Sequence, residues 1–250
     1  MALLEVNRLH KSFGGIRAVN DLTFSIEQGE ILGLIGPNGA GKTTVFEVIS
    51  GFTSPDSGGV KLNGHDIVGL KPYSLCERGI CRTFQLAKPF LNLTVLENVM
   101  IGILAKGEPV KTAKEKGNEI LKFLNLLDFK DIQAKFLTIG YKRRLELAKA
   151  LSTQPKLVLA DEVMSGLNEK EVMDTMDILK KINGRGITLF VVEHILHAIM
   201  ALAERVIVIN HGAKIAEGTP AEISRNERVI TAYLGRGFSD RFQDLSKEKR

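Results

Sequence analysis

The stretch GPNGAGKTT, positions 36–44, constrains this 250-residue chain more than any other. It follows an apolar run, EILGLIG, and opens a helical run, KTTVFEVIS. A short apolar run of that kind reads as a buried strand. The pattern G-x-x-x-x-G-K-[ST] is matched in full. Its glycines let successive backbone N–H groups converge on one point, and the helix that follows adds its positive end. Such a turn holds phosphate oxygens. Gly36, Pro37, Asn38, Gly39, Ala40, Gly41 and Thr44 form the cradle, Lys42 reaches the β- and γ-phosphates, and the Thr43 hydroxyl ligates Mg²⁺.

A phosphate cradle calls for a metal-holding acid on a neighbouring strand. KLVLADE supplies one: residues 157–160 are all apolar, so Asp161 falls at the C-terminal end of a buried strand. Ligands bind at that end of an open α/β sheet. Asp161 is expected to hold Mg²⁺ through water, and Glu162 to polarise an attacking water.

The remaining pattern fits a sheet around these motifs. LLEVNRL and DLTFSI, separated by Gly14 and Gly15, predict two antiparallel strands, and GGVKLNGHDI an edge strand with a turn. ITLFVVEH is a further buried-strand run followed by a helix, and RVIVINHGAKIAEG reads as strand, turn and strand. Strands alternating with helices predict a parallel α/β sheet. From about residue 87 to 152 the pattern is helical, which reads as an insertion between two halves of that sheet.

Charge and cysteine usage narrow the function classes. The net charge is +5, and the basic residues are scattered along the chain. With no basic arm, nucleic acid is not expected as a partner. Glu5 and Arg8 interrupt the N-terminus before any apolar run could form a signal peptide. No apolar run approaches the roughly 20 residues that span a bilayer, so work at a membrane is expected to pass through a partner. Cys76 and Cys81 match no metal or redox spacing, which predicts a reduced, cytosolic chain.

LTIGYKRRLELAKAL, positions 137–151, raises a separate question. Lys142, Arg143 and Arg144 fall where a helix pattern starts. Positive charge there is unfavourable by roughly 0.3–1 kcal/mol per residue, unless an anion lies nearby. The same stretch also reads as an ordinary amphipathic helix with Tyr141, Leu145 and Ala148 facing inward.

The order of these motifs resembles the nucleotide-binding subunit of ABC transporters, from about residue 4 to 235. The resemblance implies an α/β P-loop NTPase (RecA-like) core with an N-terminal antiparallel β subdomain and an inserted α-helical subdomain. It implies one domain over 1–235, with the core at about 1–86 and 153–235 and the helical part at about 87–152, and a charged tail at 236–250. ATP and Mg²⁺ are the implied ligands. In KSFGG, Phe13 would stack on adenine; in RTFQ, Gln85 would touch Mg²⁺ or the attacking water and relay the state to the membrane partner; in VVEH, His194 would contact the γ-phosphate. LTIGY stands where the family usually has L-S-G-G-Q, so Thr138 and Gly140 would face the γ-phosphate of ATP held by a second subunit. Departures from the family pattern are Ile139, Tyr141, Val163, Asn168 and Ile195.

YSLCERGICRTFQLAKPFLNLTVLENVMIG and the GTPAEI…ITAYLG ending resemble the branched-chain amino-acid uptake group. That likeness implies ATP hydrolysis coupled to import at the cytoplasmic face of the inner or plasma membrane, with the chain bound peripherally. The implied partners are a second ABC ATPase subunit in a homo- or heterodimer, two membrane permeases and, indirectly, an extracytoplasmic solute-binding protein. A urea or amide importer ATPase shares much of the pattern, as does the ATPase that extracts lipopolysaccharide. A soluble, non-transport ABC ATPase with weak turnover is the reading from a different class.

Overall fold

The structure, a computed structural model, describes residues 2–84 and 88–234. Its centre is a six-stranded sheet. Strands β3 (Ile31–Ile35), β6 (Ile80–Arg82), β7 (Leu157–Asp161), β8 (Thr188–Val192), β9 (Arg205–Asn210) and β10 (Ala213–Gly218) lie in the order β10-β9-β3-β8-β7-β6. All neighbours are parallel except β9 and β10. A second, antiparallel sheet has the order β2-β1-β4-β5, built from β1 (Ala2–Phe13), β2 (Ile16–Glu27), β4 (Ser57–Leu62) and β5 (His65–Asp66).

Every residue of β3, β7 and β8 is buried, as expected of parallel strands covered on both faces. The strand alternation sorts them into two cores. Ile31, Ile35, Val158, Ala160, Leu189 and Val191 face one core, shared with helices. Leu32, Leu34, Leu157, Leu159, Phe190 and Val192 face the other, shared with the antiparallel sheet and α1 (Lys42–Ile49). Phe190 stacks between Phe46 and Phe24, with ring centroids 4.9 and 5.5 Å away.

Between β6 and β7 in sequence stand α3 (Val95–Leu104), α4 (Val110–Phe123) and α5 (Ile139–Ser152). Thr94 and Glu97 close a capping box on α3. That helix approaches α5 so closely that a Cβ on Gly102 would lie 1.9 Å from Ser152 Oγ. The sequence pattern placed no element between the predicted edge strand and residue 87. The structure has α2 (Pro72–Glu77) and β6 there. Three residues, ICR, are too few to show a period, and β6 is instead defined by pairing with β7, Cys81 opposite Val158. The last elements are α6 (Glu169–Asn183), α7 (Leu196–Leu202), α8 (Pro220–Ser224) and α9 (Glu227–Leu234). No helix among the described residues is long and apolar enough to cross a membrane.

Candidate functional site

The C-terminal ends of β3, β7 and β8 lead into the loop at 36–44, Asp161 and Glu162, and His194. At the end of β3, a Cβ on Gly36 would lie 2.2 Å from the carbonyl of Ile209. Gly41 has φ +103°, and a Cβ there would lie 2.0 Å from the carbonyl of Ala18 on β2. Gly39 differs: φ is +78°, but nothing surrounds the place of its Cβ. Asn38 and Gly39 are exposed while Gly36 and Ala40 are buried. The loop is therefore pressed against β2 and β9 on one side and open on the other. Gly41 caps α1 without any side-chain hydrogen bond, and the first turn carries no acidic residue. Its N–H groups and positive end remain available to an anion. Thr43 is exposed in that turn, with Thr44 half-buried beside it. Lys42 Nζ donates to the carbonyls of Gly36 at 2.6 Å and Pro37 at 3.1 Å. Burial lowers the Lys42 pKa, and the charges of Glu162 and Asp161 pull it back up.

Asp161 ends β7. Its Oδ2 lies 2.7 Å from Arg82 Nη2, and its N–H donates to Thr83 Oγ1 at 3.1 Å. The Arg82 guanidinium is stacked among Phe46, Phe52 and Phe84 at 5.6–5.9 Å from the ring centroids. Among the described residues no group of three or more His, Cys, Asp or Glu could hold a metal alone. One carboxylate at a strand end and one exposed hydroxyl beside a phosphate cradle fit Mg²⁺, which keeps waters and takes few protein ligands beside nucleotide phosphates.

Glu162 turns the chain sharply: its φ is +50°, in the left-handed region. A non-glycine residue there costs of order 1–3 kcal/mol and persists where its surroundings over-determine it. Three bonds to the end of β8 do so. Glu162 N–H donates to Val192 O at 2.9 Å, Met164 N–H donates to Glu193 Oε1 at 2.8 Å, and His194 Nε2 lies 2.5 Å from Glu162 Oε1. The structure thus brings His194 onto Glu162. Glu193, which sequence reasoning passed over, is 2% exposed, and burial pushes its carboxyl up to about 7.

The LTIGY segment starts α5. Thr138 is the N-cap and accepts from Tyr141 N–H at 3.4 Å; Thr138 and Ile139 are exposed. Gly140 sits against Glu171: a Cβ would lie 2.7 Å from Glu171 Oε1, the end of a flexible side chain. Glu171 and Asn168 form a capping box at the start of α6. Between these two helix starts runs a cleft of about 350 Å³, lined by Thr138, Gly140, Tyr141, Arg144, Asn168 and Glu171 among others. Tyr141 packs on Phe129 at 4.3 Å between ring centroids, and Leu145 and Ala148 are buried, as the amphipathic reading expected. Two of the three basic residues find counter-charges in this chain. Arg144 bonds Asp174 at 3.0 Å. Arg143 is buried, donates to Phe84 O at 3.2 Å and lies in the field of Glu193, Glu162, Glu146 and Asp161.

Phe13 ends β1 with 48% of its surface exposed, and Lys11 Nζ lies 5.3 Å above its ring. Gln85 lies outside the described residues. Of the departures from the family pattern, Val163 is buried in the helix-side core and Ile195 packs against that core. A second residue missed in the sequence is Tyr233 on α9, whose hydroxyl accepts from Gly36 N–H at 2.6 Å. Only the fold reveals such a pairing, across 197 positions.

Known proteins share this sequence pattern and this fold. The family model described as ABC transporter matches residues 19–165, and the one described as branched-chain amino acid ATP-binding cassette transporter matches 213–239. The high-affinity branched-chain amino acid transport ATP-binding protein BraF of Pseudomonas aeruginosa is 36% identical, covering 93% of this chain and 98% of the relative. LivG of Escherichia coli K12, described by the same words, is also 36% identical with the same coverage. The lipopolysaccharide export ATP-binding protein LptB of Escherichia coli K12 is 33% identical over 95% of this chain and 99% of its own. Among solved structures, an ATP-binding cassette of an ABC transporter in its ADP conformation superposes with a TM-score of 0.86 at 31% identity, covering 94% of this chain and all of the other. A dimeric ATP-binding cassette bound to ADP and Pi gives 0.79 at 27% identity, over 87% and 98%.

Proposed function

This chain belongs to the ATP-binding subunits of ABC transporters, and from that premise we propose that it drives a membrane importer of branched-chain amino acids as one half of an ATPase dimer. As a member of that family it binds and hydrolyses ATP. The observation that carries the choice of cargo is the branched-chain family match at 213–239, joined to 36% identity with BraF and LivG along nearly the whole chain.

Each residue has a place in this reading. Phosphates sit on the N–H groups that the loop at 36–44 and the first turn of α1 leave free, with Lys42 leaving its carbonyls to meet the β- and γ-oxygens. Adenine stacks on Phe13. Thr43 and Asp161, with Gln85, would hold Mg²⁺, which supplies neutralisation of phosphate charge when bound. Glu162 polarises the attacking water and His194 contacts the γ-phosphate. Thr138 and Gly140 present a hydroxyl and a helix N-terminus outward, and the cleft around them contains none of residues 36–44. One chain therefore carries both halves of a composite site without joining them, and a second ATPase subunit completes it. The helical block at about 87–152 carries the motion to two permeases on the cytoplasmic face of the membrane. The core at about 1–86 and 153–235 carries the nucleotide.

The test uses a Glu162→Gln variant, which traps ATP. Size-exclusion chromatography with ATP should show a dimer, alone or on mixing with a second ATPase subunit, and Lys42→Ala should abolish it. Uptake of labelled leucine against labelled urea, in vesicles carrying the assembled permeases, decides the cargo. ATP binding with no dimer under any condition would overturn the reading.

A further inference from the structure

Glu193 is a carboxylate with no role in that scheme, yet it stands where three pieces of the site meet. It follows β8 directly and precedes His194. Its Oε1 accepts from Met164 N–H at 2.8 Å, inside the loop that begins at Glu162. Its Oε2 is buried and has no hydrogen-bond partner among the described residues. The guanidinium of Arg143, on α5, lies close enough to act on it electrostatically. A buried carboxylate oxygen without a partner is costly, and each such group in a folded protein calls for a reason.

The turn at Glu162 gives a reason for the carboxylate to be there, through its other oxygen, Oε1. The left-handed φ of +50° at Glu162 accompanies a side chain that reaches His194, and bonds from the end of β8 hold the turn in place. Val192 O grips the turn at Glu162 N–H, and Glu193 Oε1 grips it two residues later. Without the second grip, residues 162–164 could relax toward an ordinary conformation and swing the Glu162 carboxylate away. We infer that Glu193 is a positioning residue for hydrolysis, which fixes the Glu162 carboxylate by tying Met164 N–H to the end of β8. This rests on the reading of Glu162 as the group that polarises the attacking water.

Two conservative variants separate the hydrogen bond from the charge. Glu193→Gln keeps an acceptor at the length needed for Met164 N–H and loses the charge beside Arg143. Glu193→Asp keeps the charge and withdraws the acceptor by one methylene. Steady-state ATP hydrolysis by the full chain is measured for both, with Glu162→Gln alongside. Glu193→Asp should lose about ten- to a hundredfold in kcat, as expected for a displaced catalytic group. Its KM for ATP should stay within about twofold, because the cradle is untouched. Glu193→Gln should stay within about threefold of the native kcat. The inference fails if Glu193→Gln is the slower of the two, if both keep native turnover, or if the loss lies in KM. If Glu162→Gln itself keeps native turnover, the reading of Glu162 falls and the inference falls with it. An inactive Glu162→Gln with the wrong order of Glu193 variants removes the positioning role alone.

Discussion

Arg82 Nη2 lies 2.7 Å from Asp161 Oδ2, and the two side chains are only 8% and 6% exposed. The pair joins β6, at the edge of the parallel sheet, to the strand that presents the acid. Removing one partner from a buried pair leaves the other charge uncompensated, at about 3–5 kcal/mol. Replacing both by apolar groups is often close to neutral. Arg82→Met should therefore lower the urea midpoint by a shift equivalent to about 3–5 kcal/mol, with the slope unchanged. The double variant Arg82→Met/Asp161→Leu should recover most of that loss. A double variant no more stable than Arg82→Met would sink the ion-pair account and leave the stacking on Phe46, Phe52 and Phe84 as the dominant contribution.

The cradle glycines make a second comparison. Gly41→Ala meets both a left-handed φ and the Ala18 carbonyl at 2.0 Å, so α1 must move away from β2 and soluble yield should collapse. Gly39→Ala meets the φ penalty alone, about 1–2 kcal/mol. Its side chain points into the open face of the loop. That variant should fold, with a melting temperature a few degrees lower, and lose ATP binding. Equal destabilisation of the two variants, read by thermal unfolding beside a fluorescent-nucleotide titration, would show that the loop is not divided into a packed side and a ligand side.

The contrast between local and distant determinants explains what could be read in the chain. Residues 36–44, Asp161 and Glu162 were legible because one strand end and one turn generate each of them, and sequence neighbours reveal such units. The strand pattern of β3, β7, β8 and β9 was legible for the same reason. Arg82, Glu193 and Tyr233 were not, because their partners are set by tertiary packing at separations of 79, 29 and 197 residues. Short elements also escaped: α2 and β6 hold six and three residues, too few to repeat a hydrophobic period clearly. The basic start of α5 was legible as a question only. Part of its answer lies in carboxylates on other elements, Asp174 for Arg144 and Glu193 among those facing Arg143.

Tyr233 offers the most conservative substitution. Its hydroxyl takes the Gly36 N–H, at the point where β3 gives way to the cradle. Burial raises its pKa to about 12, so the hydroxyl stays neutral at any working pH. Tyr233→Phe removes one oxygen and leaves a buried N–H without its partner, which costs about 1–3 kcal/mol. Unfolding by urea should show that loss in the nucleotide-free chain. Since the N–H belongs to the cradle, ATP affinity should fall as well. An unchanged midpoint together with unchanged affinity would mean that water replaces the hydroxyl, and that α9 does not brace the loop.

Stability should fall as pH rises through the range in which Glu193 titrates. Burial, with Glu162 adding to it, raises this carboxyl from an ordinary 4.5 to about 7, while the Met164 N–H and the Arg143 charge oppose the shift. An acid that is harder to ionise in the folded state holds its proton there after the unfolded chain has released it. Its contribution to stability is therefore complete below about pH 4.5, is lost progressively up to about pH 7, and is flat beyond. A shift from 4.5 to about 7 corresponds to on the order of 3 kcal/mol. Glu193→Gln has no proton to lose, so it cancels this slope while all other groups titrate as before. The difference in unfolding free energy, native minus Glu193→Gln, should drop between pH 5 and pH 8 and then level off. A difference that is flat or rises over that range would show that Arg143 holds Glu193 ionised in the folded protein. The charge, rather than the neutral acid, would then be the form that bonds Met164.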